Sequence, residues 1–417
     1  MSRPGGVVAR DSGGLSSRCH DAVMKLDGWI QRANWMAYDP FDGLSSPYAS
    51  LFVGNNPLLR RIWQRAVRGF PVNLRPLLRI KPAVSSKAMG FFAQGYLRLY
   101  QTHGEAAFLK KMTFCLEWLM EHRSAGSVGY GWGNHFDYHS RAGSIRKGTP
   151  TIVWTGLITH AFLDAYEALG DQRYLAVARS VCDFILGELG WIEFEEGIVF
   201  RYYPKADTRV HNSSMIGASV LARVGALSSD PSYRDVAERA VRFTVHHQTS
   251  RGAWYYGVGP EWAWIDSFHT AYILEALDMF RRYTASSTYD ACLARGYGFF
   301  VDTFFRPDGT PRYYADKTSP IDIQCASQAI QTLINLRALH PDSVATAEAV
   351  TDWTLSRMQD ETGYFYYRKY PLITNKTPTL HWGQATMLSA LAVLDQFLNS
   401  REGHSPATAS NGARAPA

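Results

Sequence analysis

Residues 149–189 read TPTIVWTGLITHAFLDAYEALGDQRYLAVARSVCDFILGEL. The first half of this stretch is apolar on almost every side and rich in small residues, which is typical of a helix surrounded by protein. After the polar break LGDQR, a second apolar pattern begins, and its charged residues collect on one face. The stretch therefore predicts a helical hairpin in which an inner helix is followed by an outer one.

The same plan recurs along most of the chain. Hairpins of this kind are predicted at residues 85–123, 210–248, 265–305 and 319–359. Trp154, Asn212, Asp266, Asp322 and Trp382 stand at equivalent places, 54 to 60 residues apart. A period of this length indicates stacked supersecondary units rather than independent domains.

Two unpaired helical patterns at the ends of the repeat complete the architecture. Residues 381–399 form a sixth inner pattern with no partner after it, whereas residues 17–36 form an amphipathic helix with no mate before it. Pairing these two closes six hairpins into a ring and removes the polar caps that an open solenoid needs. The sequence thus predicts an all-α, (α/α)6-type toroid with short β-hairpins at one mouth.

This ring accounts for residues 17–400 as a single domain. Residues 1–16 and 401–417 are polar or rich in Ser, Ala, Pro and Gly, so they are predicted to be disordered tails. Residues 38–84 lie outside the repeats and are predicted to be a strap that crosses the ring, with Asp39 and Asp42 at its mouth or rim.

Composition limits the partners. The net charge of +6 comes from 43 basic and 37 acidic residues, and many basic residues lie in the first quarter of the chain, within an apolar segment. They form no dense basic stripe, so nucleic acid is not a predicted partner. The five cysteines are scattered, which indicates reduced, buried thiols, and the start of the chain lacks a signal-peptide pattern. We expect a cytoplasmic protein without a metal or another cofactor.

The segments between hairpins are the informative ones for ligand binding. Each has a glycine-containing turn, a short aromatic alternation and a loop, and the repeat places all of them at the same mouth. Aromatic faces stack on sugar rings, so the mouth suits a saccharide, although about half of these side chains should pack on helix ends because a strand alternates its faces. The aromatic candidates for substrate binding are Trp132, Trp154, Trp254, Tyr256, Trp262, Tyr314, Tyr366 and Trp382.

Carboxylates at the mouth suggest acid–base chemistry. Asp266 and Asp322 begin successive inner helices, where they are equally well placed to cap a helix. In a ring these positions converge, and two carboxylates across a cleft are the minimum for hydrolysis of a glycosidic bond. His269 lies one helical turn after Asp266, and Gln324 follows Asp322. Glu261 lies in a loop with Trp262 and Trp264, and apolar neighbours of this kind can raise the pKa of a carboxyl group, so it is a third acid candidate.

A second chemistry uses histidine, tyrosine and arginine. A His or Tyr base removes the proton α to a carboxylate in uronate lyases and C5-epimerases, while arginine neutralises the carboxylate. His211 and Tyr138 are the further catalytic candidates of this kind. The polar substrate-binding candidates are His135, Asp137, Arg141, Asn212, Arg312, Arg368 and His381. The spacing of His135 and His139 also suits metal ligands, but on a loop it fixes no geometry, so no metal is predicted.

Four stretches resemble a group of bacterial and archaeal toroid proteins that are associated with capsule and exopolysaccharide gene clusters. They are YDPFDGLSSP (38–47), IDSFHTAYILEAL (265–277), IDIQCASQAIQTL (321–333) and QDETGYFYYRKYPLITNKTPTLHWGQATMLSALA (359–392). The resemblance covers most of residues 20–400. It implies a role in surface-polysaccharide biosynthesis or processing, with a saccharide or lipid-linked glycan as partner and peripheral contact with membrane-bound machinery. It supplies no catalytic residues.

Three hypotheses follow. The leading one is an enzyme that acts on a glycan or lipid-linked saccharide by hydrolysis, elimination or epimerisation. The second is a non-catalytic saccharide-binding scaffold, which would share the aromatic mouth and tolerate loss of every carboxylate. The third is an isoprenoid-active toroid related to terpene cyclases or prenyltransferases. It would need a deep apolar cavity, and the acidic cluster or zinc ligands of those enzymes are not found in the sequence.

Overall fold

The helices that the repeat predicts are present in a computed structural model of the protein, which describes residues 12–140 and 143–402. In chain order they are α1 (Ser12–Arg32), α2 (Ala49–Val53), α3 (Pro57–Gly69), α4 (Ser86–His103), α5 (Ala106–Glu121), α6 (Ile152–Leu169), α7 (Gln172–Asp183), α8 (His211–Ser228), α9 (Ser232–His246), α10 (Ser267–Thr284), α11 (Asp290–Phe304), α12 (Ile323–Asn335), α13 (Ser343–Met358) and α14 (Thr386–Glu402). The first of them begins within the range predicted as an N-terminal tail. The rest of that tail, and all but the first two residues of the C-terminal one, lie outside the described residues.

The inner helices close into a ring. Helix α4 packs against α6, α6 against α8, α8 against α10, α10 against α12, α12 against α14, and α14 against α4. Small residues allow the close approach, since a Cβ added at Gly156 of α6 would collide with Ile216 of α8. The outer helices α5, α7, α9, α11 and α13 each pack on the inner helix before them. The predicted (α/α)6 toroid is confirmed.

The seam of the ring is where the sequence predicted it. Helix α1 packs on α14 and supplies the sixth outer helix. The thiol of Cys19 faces the backbone carbonyl of Leu391, and His103 Nε2 lies 2.6 Å from Asp395 Oδ2, joining α4 to α14. The N-terminal and C-terminal helices therefore bury each other's apolar faces instead of leaving polar caps.

The strands are short and lie between hairpins. They are β1 (Tyr138–Ser140), β2 (Gly143–Ile145), β3 (Trp191–Phe194), β4 (Gly197–Phe200), β5 (Ile321–Asp322), β6 (Arg368–Lys369) and β7 (Thr374–Asn375). The first two pairs are antiparallel hairpins, and β6 lies between β5 and β7. In residues 251–266 the predicted hairpin is replaced by isolated bridges, such as Asp266 to Tyr314, and by a 3-10 turn at Pro260–Trp262.

The segment predicted as a strap contains the helix α3, which the sequence did not predict. Asn56 caps this helix by accepting from the backbone N–H groups of Leu58 and Leu59. Gln64 ties it down, since its Nε2 donates to the Phe41 carbonyl at 2.9 Å and its Oε1 accepts from the backbone N–H of His139 at 2.9 Å. The strap is thereby fixed against the loop that leads into β1.

The interior is one continuous apolar core between the two rings of helices. All five cysteines are buried and none forms a disulfide, as the sequence predicted. Among the described helices, none is both long and apolar enough to cross a membrane.

Candidate functional site

A cavity of about 370 Å³ opens at the end of the ring where the inner helices begin. Each inner helix contributes its first turn or the residue before it. From α4 comes Lys87, from α6 Trp154, from α8 Asn212, from α10 His269, from α12 Gln324, and from the π-helical turn ahead of α14 comes Trp382. Helix N-termini carry partial positive charge, so their convergence favours an anionic group in the cavity.

The ionisable side chains of the cavity reinforce this polarity. Apart from tyrosines, those that line it are Arg61, Arg65, Arg68, Lys87, His139 and His269. Among the described residues, no aspartate or glutamate lines it. A wall that offers guanidinium and ammonium groups without a carboxylate suits a ligand that carries negative charge.

His269 is held by Asp266. The ring Nδ1 lies 2.7 Å from Asp266 Oδ2, and the backbone N–H of His269 donates to Asp266 Oδ1 at 3.0 Å. Asp266 is buried and also accepts from Trp264 Nε1 at 2.9 Å, so it caps the helix and orients the imidazole. Because Nδ1 is engaged, Nε2 is the ring nitrogen left for a ligand in the cavity. The acid–base group that the cavity presents is therefore the histidine, with the carboxylate behind it.

Lys87 is buried in the wall of the cavity. Its Nζ lies 4.8 Å from the centroid of the Trp154 ring and 5.2 Å from that of Trp382. Burial lowers the pKa of Lys87 to about 7, although the charge of Asp39 favours the protonated form. Near neutral pH this amine is thus present both as a proton donor and as a proton acceptor.

The order of the ring places His269 and Lys87 opposite each other. Going round the inner helices from α4, the helix α10 is third in either direction, through α6 and α8 or through α14 and α12. Both residues lie in the first turn of their helices and both line the cavity. An imidazole and an amine therefore approach a bound ligand from opposite sides.

Four buried polar atoms of the cavity wall have no hydrogen-bond partner among the described residues. They are Asn134 Oδ1, Asn212 Oδ1, Gln324 Oε1 and Trp382 Nε1. Buried polar groups are nearly always paired, so an unpaired set that lines one cavity indicates a ligand with several hydrogen-bonding groups. The hydroxyl groups of a sugar supply both the donors and the acceptors that these atoms require.

Asp322 takes a different position from the one a catalytic carboxylate needs. It is fully buried, caps α12 through the backbone N–H of Gln324, and accepts from Arg368 Nε at 2.6 Å. Neither Asp322 nor Asp266 lines the cavity. The two carboxylates thus do not form the pair across a cleft that was expected for a hydrolase.

Asp39 and His381 form a buried contact beneath the cavity. His381 Nδ1 lies 2.7 Å from Asp39 Oδ2. Burial lowers the pKa of His381 to about 4, and burial alone would raise that of Asp39, which His381 instead holds below its usual value. His381 packs edge-on against Trp154 and Trp382, so it supports the aromatic wall.

Asp42 belongs to the strap rather than to the cavity. Its carboxylate accepts from Arg75 Nε at 2.8 Å, and both side chains are buried. Asp137 is similarly engaged, since it accepts from the backbone N–H of Lys147 at 3.0 Å and pairs with Arg60 at 3.4 Å. These ion pairs fix the loops around the mouth.

The predicted aromatic residues divide into two groups. Trp154, Tyr256, Trp262, Tyr314 and Trp382 line the cavity. Trp132 and Trp254 are buried in the core, where each indole N–H donates to a backbone carbonyl at 2.9 Å. Tyr366 donates to Asp360 outside the cavity. The expectation that about half of the mouth's aromatic side chains pack on the scaffold matches this division.

The remaining predicted residues are dispersed. Tyr138 lines the cavity with its ring against Phe41. His211 is buried against Phe243 and His247, away from the cavity wall. Glu261 is exposed on the 3-10 turn and does not line the cavity. The cavity wall also does not include His135 or Arg312. Arg141 lies outside the described residues.

Sequence reasoning missed several cavity residues. Lys87 and the three arginines of α3 were expected only to form a solvated or sugar-facing surface, and Tyr272 was not considered. Tyr202 and Tyr313 were counted among the aromatic residues of the mouth but were not selected as site residues. Two signals were available. Arg61, Arg65 and Arg68 follow the spacing of one helical face, and Lys87 is a lone charge at the start of an otherwise apolar inner helix.

Comparison with known proteins gives structural similarity only. Neither the protein-family models nor the curated proteins that were searched match this chain. Among solved structures, the cellobiose 2-epimerase from Bacillus thermoamylovorans superposes with a TM-score of 0.61 at 11% identity, covering 76% of this chain and 88% of the epimerase. A polysaccharide lyase gives 0.59 at 11% identity and covers 92% of this chain and 98% of the lyase.

A third similar structure is the GH76 α-mannanase from Bacteroides thetaiotaomicron, with a TM-score of 0.58 at 13% identity over 78% of this chain and 88% of the mannanase. At such low sequence identity, the structural similarity shows a shared fold and does not identify the reaction. The chain therefore has the (α/α)6-toroid fold that these saccharide-processing enzymes also have.

Proposed function

We propose that this protein is an enzyme that removes the proton next to the carboxylate of an acidic saccharide, and that it is a uronate epimerase. The observation that carries the proposal is the cavity wall, in which His269 and Lys87 oppose each other among arginines, without a lining carboxylate in the described part of the chain. The cavity volume of about 370 Å³ suits a sugar residue or a short segment of glycan.

Binding would rest on charge and on aromatic faces. Arg61, Arg65 and Arg68 would hold the carboxylate, which also lowers the pKa of the adjacent C–H by stabilising the enolate-like charge that forms when the proton leaves. Trp154 and Trp382 offer faces for the sugar ring. The unpaired atoms of Asn212 and Gln324 would accept from its hydroxyl groups.

Epimerisation then needs one base and one acid on opposite faces of the sugar. His269 Nε2 takes the proton from the carbon α to the carboxylate, and Asp266 stabilises the imidazolium that results. Protonated Lys87 returns a proton to the opposite face of the same carbon, so that the configuration inverts and no bond to oxygen breaks. The reverse reaction exchanges the two roles, which a lysine with a pKa of about 7 permits.

β-Elimination is the second candidate. The same carbanion can expel the substituent at the neighbouring carbon, which forms a double bond and cleaves the glycosidic linkage, provided that an acid protonates the leaving oxygen. Tyr138, Tyr202 and Tyr313 line the cavity, and burial raises the pKa of all three, so each keeps its proton for such a transfer.

The other hypotheses have less support. Hydrolysis through paired carboxylates would need aspartate or glutamate in the cavity wall, and isoprenoid chemistry would need an apolar cavity rather than one rich in arginine and tyrosine. The similar solved structures include an epimerase and a lyase, both of this fold. A role in surface-polysaccharide biosynthesis, on a free or lipid-linked glycan, is the biological setting that we infer from the sequence resemblance.

The test is a reaction in deuterated water with a panel of uronate-containing glycans and with polysaccharides extracted from the host. Mass spectrometry would detect deuterium at the epimerised carbon, and ultraviolet absorbance would detect the unsaturated product of a lyase. We expect one signal with wild type, and its loss in His269→Asn and Lys87→Met. Matched controls are His246→Asn and Lys317→Met, which change exposed residues outside the cavity. Retention of a glycan with neither signal would instead support a binding scaffold.

A further inference from the structure

The outward face of α3 is apolar. Leu58 is 63% exposed and Ile62 is 53% exposed, and Leu59 and Ala66 share the same arc of the helix. A surface helix ordinarily turns its charged face to solvent and its apolar face to the core. Here no charge interrupts the apolar arc, so this part of the strap has the surface of an interface.

The arginines of α3 lie beside this apolar arc, on the flank of the helix that borders the cavity. Arg61, Arg65 and Arg68 line the cavity, and Arg68 is fixed by a hydrogen bond of 3.2 Å to Tyr367 Oη. The helix therefore buries Gln64 and Val67 against the protein, presents arginines to the cavity and leaves its apolar arc in solvent. With this arrangement the arginines can contact a ligand in the cavity while the apolar side chains contact an apolar medium outside the protein.

Other exposed apolar side chains lie in the segments that adjoin α3, and Phe52 among them stacks on Trp63 of that helix. In α2 and in the chain after α3 these are Leu51, Phe52, Phe70, Val72 and Leu77. The loop between β6 and β7 adds Leu372 and Ile373 at its tip. It is attached to the strap, because Tyr370 Oη donates to the Gly69 carbonyl at 3.2 Å and Asn375 Nδ2 donates to the Phe70 carbonyl at 2.8 Å. We call this surface, formed by residues 51–77 and 370–375, the strap face.

Charge distinguishes among the partners that an apolar face could take. Between Asp42 and Glu105 the chain has no acidic residue, whereas it has nine basic ones. Arg79 and Lys81 are exposed among them and do not line the cavity, and Lys376 is exposed beside the loop tip. The neighbouring carboxylates, Asp137 beside Arg60 and Asp360 near Lys376, are outnumbered by these basic residues. Exposed apolar side chains with an excess of positive charge around them match an anionic lipid bilayer, which offers an apolar interior beneath negative headgroups.

We propose that the strap face binds the surface of an anionic bilayer, with the apolar side chains of α2, α3 and the β6–β7 loop inserted between headgroups and the basic residues on the headgroup phosphates. The protein lies on the membrane and does not span it. Since α3 borders the cavity from its other side, the cavity opens beside the bilayer, where a saccharide on a lipid carrier would be presented. The binding itself does not depend on the proposed reaction.

Vesicle sedimentation with the full chain tests this surface. Vesicles of phosphatidylcholine and phosphatidylglycerol in equal parts should bind the protein, vesicles of phosphatidylcholine alone should bind it far less, and high salt should release it. Leu58→Gln combined with Ile62→Gln should weaken binding to the anionic vesicles by about tenfold or more, because two inserted side chains become polar. Lys81→Glu should weaken it through charge alone.

The matched control is Leu169→Gln combined with Leu339→Gln, which changes two exposed leucines at the opposite end of the ring and should leave binding unchanged. Thermal unfolding of each variant establishes that the fold is kept. Equal binding of the strap-face variant and wild type, or no binding to anionic vesicles, would overturn the proposal. So would analytical ultracentrifugation that shows a wild-type dimer that Leu58→Gln with Ile62→Gln dissociates, since a second copy would then cover the face.

Discussion

Asp266 Oδ2 lies 2.7 Å from His269 Nδ1 and 2.9 Å from Trp264 Nε1, while Asp266 Oδ1 caps α10. Every oxygen of this buried carboxylate thus receives a donor, and one of these donors is the imidazole that faces the cavity. The aspartate that the sequence singled out as an acid or base is placed to position the histidine one turn later.

Asp266→Asn should lower kcat by about 10² to 10⁴-fold and change KM little. Asparagine still caps the helix, but its amide nitrogen would then face His269 Nδ1. That contact favours the imidazole tautomer with a proton on Nε2, which cannot act as the base. The measurement is steady-state kinetics of wild type, Asp266→Asn, His269→Asn and the double variant. If the two losses multiply in the double variant, the residues act separately and the positioning role is wrong.

Lys87→Met should stabilise the fold near neutral pH while abolishing activity. The pKa of Lys87 is about 7 in the folded protein against 10.5 as its ordinary value, so between these values the unfolded chain holds a proton that the folded one lacks. Wild-type stability therefore rises with pH through this window, and below about pH 7 the full cost of the buried amine remains. Methionine packs well against two indole rings and removes that cost, on the order of a few kcal/mol.

Denaturant unfolding of wild type and Lys87→Met at several pH values measures the difference. We expect it to be largest below about pH 7 and to shrink toward pH 10.5. Lys317→Met, which changes an exposed lysine, should show no such dependence. A stability difference independent of pH would mean that Lys87 keeps an ordinary pKa, and the proposed exchange of acid and base roles would lose its basis.

The ring was predictable because its signals are local and repeated. An apolar helix, a polar break and an amphipathic helix recur, and the unmatched patterns at 17–36 and 381–399 permit one closure. The loops were less predictable. Pairing of β5 with β6 joins residues 46 positions apart, as in Asp322 and Arg368, and no local pattern announces such a contact.

The site was predictable in position and only partly in composition. Repeat equivalence brought Trp154, Asn212, His269, Gln324 and Trp382 together at one mouth. It could not place residues outside the repeat, so α3 and its cavity-lining arginines were missed. Nor could it tell which side chain of a helix's first turn faces the cavity and which one caps the helix N-terminus. That choice depends on a small rotation of the helix about its own axis, which the sequence does not specify.

Asp322→Asn should destabilise the fold by about 3 to 5 kcal/mol, because it leaves Arg368 buried without its counter-charge. Asparagine keeps the cap of α12, so the loss reports the ion pair. Asp171→Asn is the matched control, since Asp171 also caps a helix and pairs with an arginine but is solvent-accessible, and it should destabilise the fold far less. Denaturant unfolding measures the loss of stability in each variant. An unchanged kcat in the folded fraction of Asp322→Asn would exclude a catalytic role for Asp322.

His211→Leu should make the fold more resistant to acid and leave activity unchanged. Burial lowers the pKa of His211 to about 3 against an ordinary 6.5, with His247 adding to the effect. As pH falls from 6.5 toward 3, the unfolded chain gains a proton that the folded one does not, so stability is lost across this window. Leucine removes this loss, and the ring Nδ1 has no hydrogen-bond partner to lose within the described part of the chain. Denaturant unfolding of wild type and variant at pH 5 and at pH 7 measures this difference in stability. If the variant lost its activity, His211 would again be a candidate catalytic residue.

Arg65→Gln should raise KM for an acidic saccharide by about tenfold to a hundredfold, because one charge-assisted hydrogen bond to the carboxylate is lost. The carboxyl-reduced form of the same saccharide should bind wild type and variant equally, since it offers no negative charge to Arg65. Arg79→Gln changes an exposed basic residue of the same strap that does not line the cavity, so it separates binding in the cavity from the general charge of the segment. If wild type binds the reduced and acidic forms alike, the arginines do not select the carboxylate. Proton abstraction next to it would then lose the electrostatic support on which the mechanism rests.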